Sequence, residues 1–331
     1  MGKLTIVDIA KMAGVGTTTV TRYFNGVKIK EENRIKIKAI VEKYNYKPNT
    51  FAKALKSSDS KIIGIIVPTL NSFITGNTLQ ILNKLLKENG YEILILNTNF
   101  DDKAPIEYIH RLERMNVSGI IFIATTMNNE YEDIFSKITI PIVVIGQESK
   151  NTISMIYDDY NAGSTVANYT IENGHKDIVY LGVNENDISV GIKRKKGIID
   201  KLALNNIVPK YLEMDFSLNK SLEILKVNFE NIKNSTCIIC ATDRIAYACI
   251  EVFKEHNKIA GKDYSIIGFG DYDSSRLLCY PLSTISFDIE SMSNETVNIL
   301  LKNINNSTDK IEKKKIGFKL IKRNSVLNLK L

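Results

Sequence analysis

Residues 5–26 read TIVDIAKMAGVGTTTVTRYFNG. Ile6, Ile9, Ala10 and Ala13 recur at the spacing of one helical face, so a short helix turns that stripe inward. Thr5 stands at its start with Asp8 three residues on, close to a capping box, and the acid in the first turn suits the helix dipole. Gly14 ends this helix and a second begins near Thr17. It carries Val20 and Phe24 inward and leaves Thr17, Thr18, Thr21 and Arg22 outward. Two short helices joined by a tight glycine-containing turn make a helix-turn-helix. The outward face of the second helix offers small hydroxyls and an arginine, which reach base edges and phosphates in a major groove. A third helix follows, with Ile37, Ile40, Val41 and Tyr44 on one face and Lys36, Lys38 and Lys43 on others.

Charge agrees with that reading. The 331-residue chain has a net charge of +7, and residues 1–60 contain 12 Lys or Arg against 5 Asp or Glu. The remaining residues carry 32 of each sign. All the excess positive charge therefore sits in a short basic module, suited to phosphate backbones and joined to an electrostatically neutral body. The hydrophobic fraction of 44% is that of an ordinary globular protein. No run approaches the roughly 18 apolar residues of a membrane span, and the N-terminus lacks a signal-peptide core. The expectation is a cytoplasmic protein without a membrane partner. Cys237 and Cys240 form a C-x-x-C, but TCIICATD reads as a buried strand whose alternate residues face opposite sides. No second cysteine pair or nearby histidine completes a zinc set, so core packing is expected there.

Beyond Ser60, β-rich apolar runs alternate with helical segments. KIIGIIVP, YEILILN, SGIIFIAT and PIVVIGQ form one set of strands; DIVYLGV, STCIICATD and DYSIIGFGD form a second. Continuous Ile/Val runs fit strands buried on both faces of a parallel sheet. Two sets imply two doubly wound α/β subdomains, with a ligand cleft where the carboxyl ends of their strands face each other. The expected organisation is a helix-turn-helix domain at 1–47, a hinge helix and linker at 48–60, and a core of two subdomains at 61–331. In the linker Pro48 stops the third helix and Asn49 can cap a short new one running through Leu55.

The segment TIVDIAKMAGVGTTTVTRYFNG, followed by YNYKPNTFAKAL, resembles the DNA-binding headpiece of the lactose/galactose repressor family. ENGHKDIVYLG, CATDRIAYACIEVFKE and YSIIGFGDYD…YPLSTISFD extend the resemblance over nearly the whole chain, with a core of the periplasmic sugar-binding-protein fold. The resemblance implies a dimeric, sequence-specific repressor of double-stranded operator DNA. Thr17 and Thr18 would read bases, while Thr21, Arg22 and Asn25 would contact bases or phosphates, and the DNA-facing set extends to Thr5 and Ile6. Gly16 stands where the family usually has a phosphate-binding Ser, so only a backbone N–H is left to donate there. In the hinge, by resemblance, Leu55 wedges between base pairs of the minor groove with Ala52 packed beside it. A helix of about seven residues is unstable in water, so it orders only on DNA beside its dimer mate.

In the core, effector-cleft candidates are Asn71 and Phe73 after the first strand, Thr125 and Thr126 after the third, and Thr242 or Asp243 after a later one. Arg194 in VGIKRKKG matches the family arginine that grips the effector, and Phe216 matches an aromatic that stacks on it. An arginine, an aromatic plate and short polar side chains suit a sugar or sugar phosphate. Other roles stay open: a solvated basic face for Arg194, core packing for Phe216, and a helix cap for Asp243. GFGD has Gly270 where relatives often hold a sugar-binding carboxylate, with Asp271 next. VVIGQES, YDDYNAG and VGIKRKKG look most like sucrose-operon repressors, and trehalose repressors come second. The effector expected is sucrose, its fructose moiety or a phosphorylated disaccharide, acting as inducer or as corepressor. The chain ends at SVLNLKL without a leucine-heptad tail, which favours a homodimer. His110, His175 and His256 sit in no nucleophile or metal motif, and neither G-x-G-x-x-G after a strand nor G-x-x-x-x-G-K-[ST] occurs. No catalytic residue, metal or cofactor is expected.

Overall fold

A computed structural model describes residues 4–46, 60–306 and 311–330. The chain separates into two compact units, Met1–Ser60 and Lys61–Leu331. Among the described residues of the first, three helices run Ile6–Ala13, Thr17–Phe24 and Glu31–Lys43. Ile9, Ala10, Ala13, Val20 and Ile37 form its core, with Ile6, Phe24, Ile40, Val41 and Tyr46 packed around it. Tyr44, expected on the inner face of the third helix, is 47% exposed. The helix ends there, and Tyr46 lies against Phe24 instead, with ring centroids 5.7 Å apart.

The second unit contains two six-stranded sheets. In the first, β1 (Ile62–Val67), β2 (Glu92–Asn97), β3 (Gly119–Ile123), β4 (Ile142–Ile145), β5 (Ile153–Tyr157) and β11 (Lys313–Ile316) lie in the order β11-β5-β4-β3-β1-β2. In the second, β6 (Ile178–Val183), β7 (Lys210–Met214), β8 (Cys237–Cys240), β9 (Ser265–Phe269), β10 (Ser283–Phe287) and β12 (Phe318–Ile321) lie in the order β12-β10-β9-β8-β6-β7. Among the described residues all strand pairings are parallel except β10 with β12. The central strands are buried along their length, as the Ile/Val runs require. YEILILN departs from that expectation: β2 is an edge strand, and Ile95 is 37% exposed.

The sheets are not contiguous in sequence. The chain crosses from the first subdomain to the second after Tyr157, returns at Asp288 to add β11 to the first sheet, and crosses again at Gly317. The crossing segments are tied together by backbone bonds, Asp158 N–H to Ile316 C=O and Asp288 N–H to Gly317 C=O. The Tyr157 and Phe287 rings pack beside them, 4.7 Å apart.

Two helices of the second subdomain, Asp159–Glu172 and Lys195–Ala203, approach closely because each carries a glycine at the crossing. A Cβ on Gly197 would stand 2.0 Å from the Tyr160 carbonyl oxygen, and one on Gly163 would stand 2.3 Å from that of Arg194. This contact fixes where the segment before Lys195 enters the cleft. That segment, Ile188–Arg194, winds as a π-helix, a form that recurs at functional sites.

Candidate functional site

In the first unit the capping box at Thr5 is complete. Thr5 Oγ1 accepts the Asp8 N–H at 3.3 Å, and Asp8 Oδ2 accepts the Thr5 N–H at 2.9 Å. Hydrogen bonds from the Thr5 hydroxyl and backbone N–H hold Asp8 below the ordinary carboxylate range. Gly14 takes the left-handed conformation, φ 64°, that a helix end favours. Gly16 starts the second helix with no side-chain cap. Thr17, Thr18, Arg22 and Asn25 are exposed on or beside that helix, while Ile6 is half-buried against the core. Thr21 directs its hydroxyl to the Thr17 carbonyl oxygen at 3.0 Å, and Arg22 reaches the Lys28 carbonyl oxygen at 3.4 Å. Asn49, Ala52 and Leu55 lie outside the described residues.

In the second unit, the carboxyl ends of β1, β2 and β3 surround a hollow lined by Thr98, Phe100, Asp101, Asp102, Phe122, Thr125, Thr126 and Tyr131, among others. This is where an open α/β sheet receives ligands. Thr126 Oγ1 donates to Asp102 Oδ1 at 3.3 Å, and the Tyr131 hydroxyl donates to the Asp102 carbonyl oxygen at 2.6 Å. Burial pushes the Tyr131 phenol up to about 12. Opposite stands the π-helix. Asp187 caps it by accepting the Val190 N–H at 2.9 Å, and burial pushes the Asp187 carboxyl up to about 6.

The two walls touch at several places. Ser189 Oγ donates to the Gly146 carbonyl oxygen at 2.5 Å, and Gln147 Nε2 donates to Asp187 Oδ1 at 3.3 Å and to the Thr125 carbonyl oxygen at 2.7 Å. Arg244 donates to the Asn71 carbonyl oxygen at 2.9 Å, and the Phe73 and Tyr272 rings pack 4.6 Å apart, tilted by 33°. Arg194 is buried. Its Nε and Nη2 donate to Asp159 Oδ1 at 2.9 and 2.5 Å and its Nη1 to the Ala241 carbonyl oxygen, while the guanidinium lies over the Phe269 and Phe287 rings. Burial pushes the Asp159 carboxyl up and the charge of Arg194 opposes that shift.

The remaining sequence candidates are held by structural partners. Thr242 caps the helix Asp243–Glu255 through the Ile245 N–H. Asp243 accepts Thr284 Oγ1 at 2.6 Å, Ser275 Oγ at 2.7 Å and the Tyr272 N–H at 3.0 Å, and burial pushes it up to about 6. Asp271 is paired with Arg323 at 2.5 Å, and Phe216 is half-buried against the core of the second subdomain. Thr125 and Thr126 thus line the hollow of the first wall, while Asn71 and Phe73 touch Arg244 and Tyr272 of the other subdomain. Sequence reading passed over Gln147, Asp187, Ser189, Arg244 and Tyr272. Gln147 and Tyr272 follow strand ends in PIVVIGQES and SIIGFGDY, so the rule applied to the other strands would have found them.

A three-helix headpiece and two facing parallel sheets with a polar, aromatic-edged cleft define a DNA-binding module joined to a small-molecule receptor. Residues 5–49 match the model of bacterial regulatory proteins of the lacI family, and residues 167–326 match the periplasmic binding protein-like domain. The chain is 31% identical over 285 residues to the sucrose operon repressor of Staphylococcus xylosus, covering 86% of this chain and 89% of that one. It is 27% identical to the transcriptional repressor PurR of Actinobacillus pleuropneumoniae, over 98% of this chain and 99% of the relative. In structure it is similar to the lac repressor dimer bound to operator and an anti-inducer, with TM-score 0.82 at 22% identity, covering 98% and 100% of the two chains. A LacI-type regulator from Alkaliphilus metalliredigens, complexed with D-xylulofuranose, gives TM-score 0.75 at 26% identity, over 81% of this chain and 99% of that one. The protein belongs to the LacI family and is a DNA-binding transcriptional repressor. No described helix is long and apolar enough to cross a membrane.

Proposed function

We propose that this repressor controls a sugar-utilisation operon, with sucrose the first candidate, and releases its operator when a small sugar enters the cleft of residues 61–331. The observation that carries the reading is the cleft itself. Two walls built from strand ends present hydroxyls, carboxylates and aromatic rings, and touch through hydrogen bonds and ring contacts that a bound molecule can rearrange. The 31% identity to a sucrose operon repressor supports that choice of sugar. On this reading the protein works in the cytoplasm as a homodimer, each copy offering Thr17, Thr18, Arg22 and Asn25 to half of a near-palindromic operator. Residues 48–60 form the hinge, where Leu55 is the minor-groove wedge.

The test is selection of bound duplexes from a random pool by the purified full-length chain. The retained fraction is then measured with each of a panel of sugars. Two-fold symmetric selected sites and a retained fraction lowered by sucrose or a component sugar support the reading. A fraction raised by the sugar makes it a corepressor, and a fraction unmoved by every sugar rejects the class of effector.

A further inference from the structure

Four consecutive cations, Lys193 to Lys196, suggest a seat for a phosphorylated sugar. Each is already answered by a carboxylate. Lys193 pairs with Glu148, Lys195 with Glu185 at 2.9 Å while lying over the Tyr211 ring, and Lys196 with Asp200 at 2.8 Å. Arg194 is buried against Asp159. Glu148 also takes Lys313, so that cluster keeps one positive charge in excess, with both ammonium groups held on the one carboxylate. Arg244 stands at the cleft edge, where its guanidinium is bound to the Asn71 carbonyl oxygen.

The opposite wall is acidic. Asp101 and Asp102 line the hollow beside the hydroxyls of Thr98, Thr125, Thr126 and Tyr131. Asp101 Oδ1 accepts the Lys103 N–H at 2.8 Å, which sets a carboxylate beside the start of the helix at Ala104. A phosphate brought to this wall would face two exposed carboxylates, whose like charge opposes it. Sugar hydroxyls, which donate, would instead find acceptors.

One acceptor stands out. Gln147 is 1% exposed and sits between the walls at the end of β4. Its Nε2 faces two acceptors, the Thr125 carbonyl oxygen and Asp187 Oδ1, which fixes the orientation of the amide. The other end, Oε1, is buried with no hydrogen-bond partner. A buried polar atom left unmatched costs about 1–3 kcal/mol, and a donor supplied by a ligand recovers that cost.

We propose that the effector is an uncharged polyhydroxyl compound and that Gln147 Oε1 accepts one of its hydroxyl protons. The proposal rests on the sugar-release reading above and narrows it to the unphosphorylated class. The experiment is calorimetric titration of the full-length protein with sucrose, fructose and the 6-phosphates of both, followed by singly deoxygenated analogues of the better ligand. The same titrations are repeated on Gln147→Leu. The free sugar is expected to bind at least ~10-fold more tightly than its phosphate, and one deoxy analogue should lose about 10-fold or more in the wild type. In Gln147→Leu that analogue should bind no worse than the parent sugar, because the acceptor it failed to satisfy is gone. Equal or tighter binding of a 6-phosphate overturns the uncharged class. A deoxy penalty that survives unchanged in Gln147→Leu removes Gln147 from the contact and leaves it a positioning residue. If none of the four sugars binds, the sugar-release reading fails and this proposal falls with it.

Discussion

Asp243 shows how a position read from sequence as a ligand contact can be fully occupied by the fold. Its carboxylate is surrounded by the Thr284 and Ser275 hydroxyls and the Tyr272 N–H, out of contact with solvent. It thereby joins β10, the loop after β9 and its own helix at one point. Gly268 makes the arrangement possible, since a Cβ there would stand 2.3 Å from Asp243 Oδ1. Gly268→Ala is therefore expected to destabilise the protein by about 1–3 kcal/mol, the usual cost of forcing extra volume into a packed interior. Urea unfolding measures it, and a loss below ~0.5 kcal/mol would show that the carboxylate is free to move. His175 is a second such case. Its ring lies between Thr236, Leu327 and Ser265, and burial pushes its pKa down, which keeps the imidazole neutral as a structural tie. Cys237 and Cys240 are both buried in β8, where three residues of separation put them on opposite faces.

At the scale of elements, the π-helix Ile188–Arg194 and the helix Asp159–Glu172 are joined by the buried Arg194–Asp159 pair. Removing one member of such a pair strands the other charge at a cost of about 3–5 kcal/mol, while replacing both with apolar groups can be close to neutral. Arg194→Leu should therefore lower stability by about that amount, and the double variant Arg194→Leu with Asp159→Leu should recover most of it. Thermal and urea unfolding of the single and double variants check this, and additive losses would contradict the coupling. How legible each element was in the sequence follows from what holds it. The central strands announce themselves as Ile/Val runs because both their faces are covered. The helix-turn-helix is legible because its cap, glycine and apolar stripe are all local. Strands β7, KYLEM, and β11, KKKI, carry no such signal, because edge strands depend on a neighbour's backbone more than on buried side chains. The pairings of Arg194 and of the three lysines beside it were equally hidden: their carboxylates lie 4 to 45 residues away along the chain.

For the whole molecule, three chain crossings and the contacts between the cleft walls make residues 61–331 a pair of lobes that can respond to a ligand as one receptor. Only a ligand with different affinity for two arrangements of those lobes can bias them. The coupling typical of such systems, about 1–3 kcal/mol, corresponds to a change of roughly 5–150-fold in the affinity for DNA. The most direct measurement is fluorescence anisotropy of a selected operator duplex titrated with the full-length protein, at fixed salt, with and without saturating sucrose or fructose. The account predicts that the sugar weakens operator binding by at least ~10-fold and leaves binding to a scrambled duplex nearly unchanged. Operator affinity that is unmoved or tightened by every sugar tried would contradict it.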